Sequence, residues 1–239
     1  MLMDTDTTTK VSIAYFSDIL CIWAYIAQVR LDQLRQDFSQ QVDIRCHYIS
    51  IFGDVHSKIA RNWQKSGGFE AYRKHLDQVT RQYDFISLHP DTWTRVQPYS
   101  SMGCHLFLKA IEQLQDNSQI SCEPLSECHN RTLLEEAAWQ MRLAFFRDGR
   151  NIAHLDEQWR IADQLDLPTN DIQTVLDSGE AYALLSRDYA LKEQLMITGS
   201  PTFVLNEGRQ KLYGNIGYRI IEANIQELLD SPADQASWC

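Results

Sequence analysis

The chain lacks most of the features that mark specialised protein classes. It has only six cysteines in 239 residues, too few for a disulfide-stapled scaffold. They stand at 21, 46, 104, 122, 128 and 239, with no CxxC pair and no zinc-finger spacing. No apolar run approaches the ~18–20 residues that a membrane-spanning helix needs. Basic residues are few: 22 Lys and Arg against 32 Asp and Glu leave a net charge of −10. A protein that tracks nucleic-acid phosphates or an anionic membrane surface needs a basic face, so neither partner is expected. The opening stretch, MLMDTDTTTK, has no apolar core and places two aspartates early. It reads as a loose polar tail rather than a secretory signal. The expected setting is a reducing cytoplasm in which the thiols stay free. There is no internal repeat and no low-complexity tract.

What is present is ordinary globular composition, 44% hydrophobic and 23% charged. A chain of this length forms one large domain or two small ones and buries roughly 70–75% of its unfolded surface. Val11 to Phe16 reads as a buried strand. From Ile22, apolar residues at 22, 26, 29, 31, 34 and 38 fall at helical spacings. Val42, Ile44, Cys46 and Tyr48 then alternate with Asp43, Arg45 and His47, a period of two that predicts a strand. Helical patterns follow over 56–82, broken at Gly67-Gly68, and over 101–114. Between them, 84–99 is an irregular connection holding Pro90 and Pro98. Residues 115–130 read as a polar loop. Leu134, Ala137, Ala138, Met141 and Phe145 mark another helix closed by Asp148-Gly149. Helices over about 154–165, 169–177 and 180–195 lead to a hairpin of TFVL (202–205) and Gln210–Tyr213, with Asn206-Glu207-Gly208 as its turn. A last helix spans 217–229. The order is βαβ, a long helical stretch, then ββα. A single crossover needs far fewer than the residues between 52 and 201. The expected class is therefore α/β, with 11–52 and 180–230 forming one discontinuous domain and 53–179 an inserted α-helical subdomain.

Two features could carry chemistry. Cys21 follows the first strand and opens the first helix. A helix N-terminus offers unpaired N–H groups and partial positive charge. A thiolate placed there is stabilised, and its pKa can fall to ~3.5–7.5. Asp18 opposes this if it lies close. The same position also suits a small buried residue, which free cysteine commonly is. The second feature is Gly199-Ser200-Pro201 before a strand. A trans proline at a strand's first position is the plain reading. A cis bond would instead turn the Ser200 backbone outward, so that an extended thiol-bearing ligand could pair with it as an added strand.

Together YFSDILCIWAYIAQ, TGSPTFVLN and YGNIGYRIIEANIQELL, in this order of elements, resemble the DsbA-like family of the thioredoxin superfamily. The likeness spans about residues 11–230. It is greatest to the group holding cytoplasmic dithiol isomerase homologues, 2-hydroxychromene-2-carboxylate isomerase and kappa-class glutathione transferase. The resemblance implies a thioredoxin-like fold with Cys21 as the catalytic sulfur and Pro201 as the family's cis-proline. It implies a glutathione-binding role for Trp23, Ser200 and Asn215, although no acidic residue follows Asn215 here as it does in the transferase. Glutathione is the implied co-substrate, and no metal is expected.

The chain also departs from the family. Where the dithiol members have Cys-Pro-Trp-Cys-Tyr, this sequence has Cys21-Ile22-Trp23-Ala24-Tyr25. An intramolecular disulfide to position 24 is impossible, so any mixed disulfide on Cys21 must be released by an outside thiol. In the transferase and isomerase relatives a serine stands in place of Cys21 and activates glutathione's sulfur. Three readings follow: single-cysteine thiol–disulfide exchange or disulfide isomerisation, glutathione-dependent transfer or isomerisation, and a non-catalytic binding module. Protein disulfides are possible substrates, and pairing of two copies through the helical insert stays open. Among lesser features, Cys104 could act as a distant resolving thiol or sit in the core. Cys122, Cys128 and His129 form a nonstandard metal spacing or a solvated loop. Arg61, Lys65, Arg73 and Lys74 could hold a glutathione carboxylate or form a solvated face. Cys46 reads as structural, and His47 as solvated or packed under a helix. Cys239 reads as mobile.

Overall fold

The computed structural model describes residues 10–230. The expected tail spans residues 1–10, of which 1–9 lie outside them, as does Cys239. Strand β1 (Val11–Ser17) is followed by helix α1 (Ile22–Asp37) and strand β2 (Val42–Tyr48). Helices α2 (Val55–Trp63), α3 (Gly68–Thr80), α4 (Met102–Asp116), α5 (Leu133–Arg142), α6 (Leu155–Gln164), α7 (Thr169–Ser178) and α8 (Glu180–Gln194) come next. Strands β3 (Thr202–Leu205) and β4 (Gln210–Tyr213) and helix α9 (Tyr218–Asp230) complete the fold. The sheet order is β2-β1-β3-β4. β1 runs parallel to β2, with Val11 opposite Val42 and Ser17 opposite Tyr48. β3 runs antiparallel to β1, and β4 antiparallel to β3. This is the α/β class that the order of elements implied, in the thioredoxin-like arrangement that the resemblance implied.

The alternation of β1 decides what covers each face of the sheet. Ile13 and Tyr15 join Phe203 and Leu205 against Leu31 and Leu34 of α1 and Ile221, Ile225 and Leu228 of α9. Phe16 and Val204 point the other way, toward Ile197 and the end of α8. The largest apolar cluster runs from Ile19, Leu20 and Tyr25 through Tyr48 and Phe52 into α3, α4, α5, α6 and α7. The apolar side chains of the helical stretch are thus continuous with those around the start of α1.

Local sequence explains the helix ends. Asp54 caps α2 by accepting from Ser57 N at 3.0 Å. Gly67, at φ +117, takes the left-handed turn between α2 and α3 that a side chain would resist. Thr132 and Glu135 form a reciprocal capping box on α5. Helix α5 runs on through one π turn, Leu143–Arg147, which apolar spacing did not reveal. Asp148-Gly149 ends it, with Gly149 at φ +63. Val29 departs from expectation: it is 46% exposed and lines an outer cleft with Phe85 and Trp139. The neighbouring α1 positions, Leu31 and Leu34, carry the packing against the sheet.

Candidate active site

Strand β1 ends at Ser17, and the next four residues turn the chain into α1. Asp18, wholly buried, organises that turn. Its Oδ1 accepts from Leu20 N at 2.9 Å, and its Oδ2 from Phe52 N at 2.7 Å and Ser101 Oγ at 2.8 Å. One carboxylate therefore ties the β1–α1 turn to the segment after β2 and to the start of α4. The Asp18 N–H donates to Ser200 Oγ at 3.0 Å. Ile19 N donates to His105 Nε2 at 3.2 Å, and burial holds the His105 pKa below its ordinary value, so this imidazole is a neutral acceptor.

Cys21 is the residue that precedes the first turn of α1. Its Sγ donates to Ser200 O at 3.2 Å. The Ser200–Pro201 bond is cis, and Pro201 O accepts from Gly214 N at 2.9 Å. The structure thus brings Cys21, Ser200 and Pro201 into one corner. Cys21 and Ser200 open onto a cleft of about 330 Å³ whose walls include Trp23, Trp63, Tyr72 and Tyr213. Tyr213 lies across Gly199: a Cβ built on Gly199 would fall 2.4–2.9 Å from the phenol ring, so the ring's position depends on a residue without a side chain.

The thiol itself differs from expectation. It is 5% exposed, and burial pushes its pKa up from the ordinary value. A hydrogen bond at Ser200 and the Ala24 and Trp23 amides pull it down, as a helix start should, while Asp18 adds to the rise. Loss of hydration outweighs the helix terminus. The resting group is a protonated thiol bonded to a carbonyl, not a solvated thiolate.

Other candidate residues are dispersed. Asn215 is exposed, donates to Tyr83 Oη at 2.6 Å, and does not line the cleft. Cys104 is fully buried, and its Sγ donates to Ile152 O at 3.0 Å, which makes it a core group. Arg73 is committed to Asp77 and to the carbonyls of His89, Pro90 and Thr92. Arg61, Lys65 and Lys74 are exposed and lie outside the cleft lining. The basic side chains that reach it are Lys58 and His75, which the spacing did not single out. Cys46 is half-buried on β2. His47 packs under α8, with Nδ1 2.7 Å from Asp188 Oδ1. Among the described residues, no group of three or more His, Cys, Asp or Glu side chains is disposed to hold a metal, so Cys122, Cys128 and His129 gather no ligand set.

No helix among the described residues is long and apolar enough to cross a membrane. No curated protein matches the chain. Its fold is similar to that of a probable DsbA oxidoreductase from Streptomyces coelicolor, at 16% identity and a TM-score of 0.69, covering 96% of this chain and 93% of the other. It is similar to the cytosolic disulfide reductase DsbM from Pseudomonas aeruginosa, at 17% identity and a TM-score of 0.61, covering 90% and 98%. That reductase has also been solved with GSH. The fold also matches 2-hydroxychromene-2-carboxylate isomerase, at 16% identity and a TM-score of 0.61, covering 95% and 100%. A family model for the DSBA-like thioredoxin domain matches residues 12–226, and the chain belongs to that family.

Proposed function

We propose that the chain is a thiol–disulfide oxidoreductase working through the single sulfur of Cys21, with a small thiol of the glutathione class as its resolving partner. The observation that carries this reading is the 3.2 Å contact of Cys21 Sγ with Ser200 O beside the cis Ser200–Pro201 bond, at the edge of the cleft. A substrate entering as an extended strand would take over that carbonyl and release the sulfur. Cys21 gives its proton to solvent, and the thiolate attacks one sulfur of a disulfide RS–SR. A Cys21–S–S–R bond forms, and the departing RS⁻ takes up a proton. A thiolate from outside then attacks the R-bearing sulfur and returns Cys21 to the thiol. With R′SH as that outside thiol, the products of this step are RSH and the mixed disulfide R–S–S–R′. A second R′SH attacks the mixed disulfide, R′S–SR′ forms and the other RSH leaves, so that two electrons have passed from two small thiols to the substrate disulfide. Ala24, fully buried, stands where a second cysteine would be needed to close the cycle internally.

In this reading Ser200 and Pro201 form the docking edge and Trp23 walls the cleft. Asn215 would join only by releasing Tyr83. A reducing, cytoplasmic setting supplies the resolving thiol. A second reading is favoured by the buried, protonated state of the sulfur. Cys21 would then donate its S–H to the thiolate of bound glutathione, as in transfer or isomerisation chemistry. The test is glutathione-dependent reduction of a small disulfide by Cys21→Ser and Cys21→Ala. The redox reading expects both to lose about 100-fold or more. A serine variant that keeps its activity while the alanine variant loses it would overturn exchange in favour of hydrogen-bond donation. A wild-type chain that neither turns over nor reacts at Cys21 would leave a binding module.

A further inference from the structure

The chain carries a net charge of −10, and its surface clefts mostly reflect that. Four others, of about 180–400 Å³, each have at least one carboxylate in their walls: Asp32 in one, Asp43 with glutamates in the other three. The cleft at Cys21 has none among the described residues. The nearest acid in the turn, Asp18, faces inward with both oxygens occupied by Leu20, Phe52 and Ser101. Asp54 caps the start of α2 and accepts from Ser57 N.

In place of acids the cleft holds Lys58, with His75 and Asn62. Lys58 is half-buried, its Nζ lying 5.0 Å from the centre of the Phe52 ring, and no described carboxylate comes within ion-pair reach of it. An ammonium held over an aromatic face and left without an acid keeps its full attraction for an incoming anion. Trp23, Trp63 and Tyr213 supply flat apolar walls.

We infer that Lys58 is a specificity-determining residue that selects a small anionic substrate with a planar or apolar body for reaction at Cys21. The inference rests on the proposed nucleophilic role of Cys21 and adds the chemical class of what it attacks. Long polypeptide disulfides would gain nothing from Lys58 unless they brought an acidic residue into the same cleft.

The test compares two alkylating reagents of equal size, iodoacetate and iodoacetamide, on the intact chain. In each, the Cys21 thiol loses its proton to solvent, its sulfur bonds to the reagent's CH₂ carbon, and iodide leaves. Mass spectrometry of the Cys21 peptide gives each rate, and free cysteine gives the intrinsic ratio. Relative to free cysteine, Cys21 should favour iodoacetate by about five- to tenfold, less in high salt. Lys58→Gln should abolish the preference, Lys58→Arg should keep it, and Lys65→Gln, outside the cleft, should leave it unchanged. If both reagents modify Cys21 at the free-cysteine ratio, or if Lys58→Gln leaves the preference intact, selection by Lys58 is overturned and the reactive thiol stands. If neither reagent modifies Cys21 in the folded chain, the nucleophilic reading fails and takes this inference with it.

Discussion

At the scale of single residues, Cys21 shows how burial can reverse the effect of a helix terminus. The amides of Trp23 and Ala24 favour the thiolate, yet desolvation and Asp18 win, and the pKa rises. Alkylation of Cys21 should therefore increase with pH along a curve displaced to the alkaline side of free cysteine, measured peptide by peptide. The sign carries over to stability. A group whose folded pKa is raised gives its full contribution below the unfolded thiol pKa, and that contribution fades as pH climbs through the folded value. Denaturation midpoints should fall between neutral and strongly alkaline pH, and Cys21→Ala should soften that fall. Asp18 matters through the three donors its carboxylate holds. Asp18→Asn leaves one carbonyl oxygen to serve three donors and turns an amide toward backbone N–H groups. It should cost about 2–4 kcal/mol in urea denaturation, while the Cys21 alkylation profile moves toward lower pH in any variant that still folds.

At the scale of elements, the chain's local patterns were readable because each one is set by neighbours in sequence. The alternation of Val42 to Tyr48, the break at Gly67-Gly68 and the Asn206-Glu207-Gly208 turn all reappear as β2, the α2–α3 junction and the β3–β4 connection. The π turn at Leu143–Arg147 did not show, since it adds one residue to a helical repeat without changing the residue types. The cleft was only half visible. Cys21 and the Gly199-Ser200-Pro201 segment announce themselves, but Lys58, His75 and Tyr213 are ordinary surface types on three different elements. Only the folded sheet and helices bring them together. Two element-level expectations can be measured. Thr132→Ala removes one half of the α5 capping box and should lower stability by about 1 kcal/mol. Gly199→Ala would push its methyl into the exposed Tyr213 ring, which can swing aside. Stability should then stay within about 1 kcal/mol of the parent, whereas the alkylation rate at Cys21 should change, and Tyr213→Ala should cancel the difference.

At the scale of the whole molecule, the sheet and the helical stretch are joined by more than apolar contact. Lys109 of α4 is 1% exposed and meets Glu112 at 2.5 Å and Asp188 of α8 at 2.7 Å. Asp188 also accepts from Tyr48 N on β2 at 2.8 Å and pairs with His47. Burial alone would raise the Asp188 pKa, but His47 and Lys109 outweigh it and hold it below the ordinary carboxylate value. Lys109→Met would remove the ammonium that Glu112 and Asp188 share, leaving Glu112 with Arg45 and Asp188 with His47 and Tyr48 N, and should cost about 3 kcal/mol. With this network and a continuous core, tryptophan fluorescence and far-ultraviolet dichroism should report one coincident unfolding transition, and separate midpoints would refute that coupling. The proton that Cys21 shares with the Ser200 carbonyl has a last implication for how the protein ages. Peroxide consumes sulfur anions far faster than thiols, so the Cys21 sulfur is sheltered from oxidative damage as long as that hydrogen bond holds. Cys122, out in solvent, should acquire oxygen first and serve as the chain's sacrificial site.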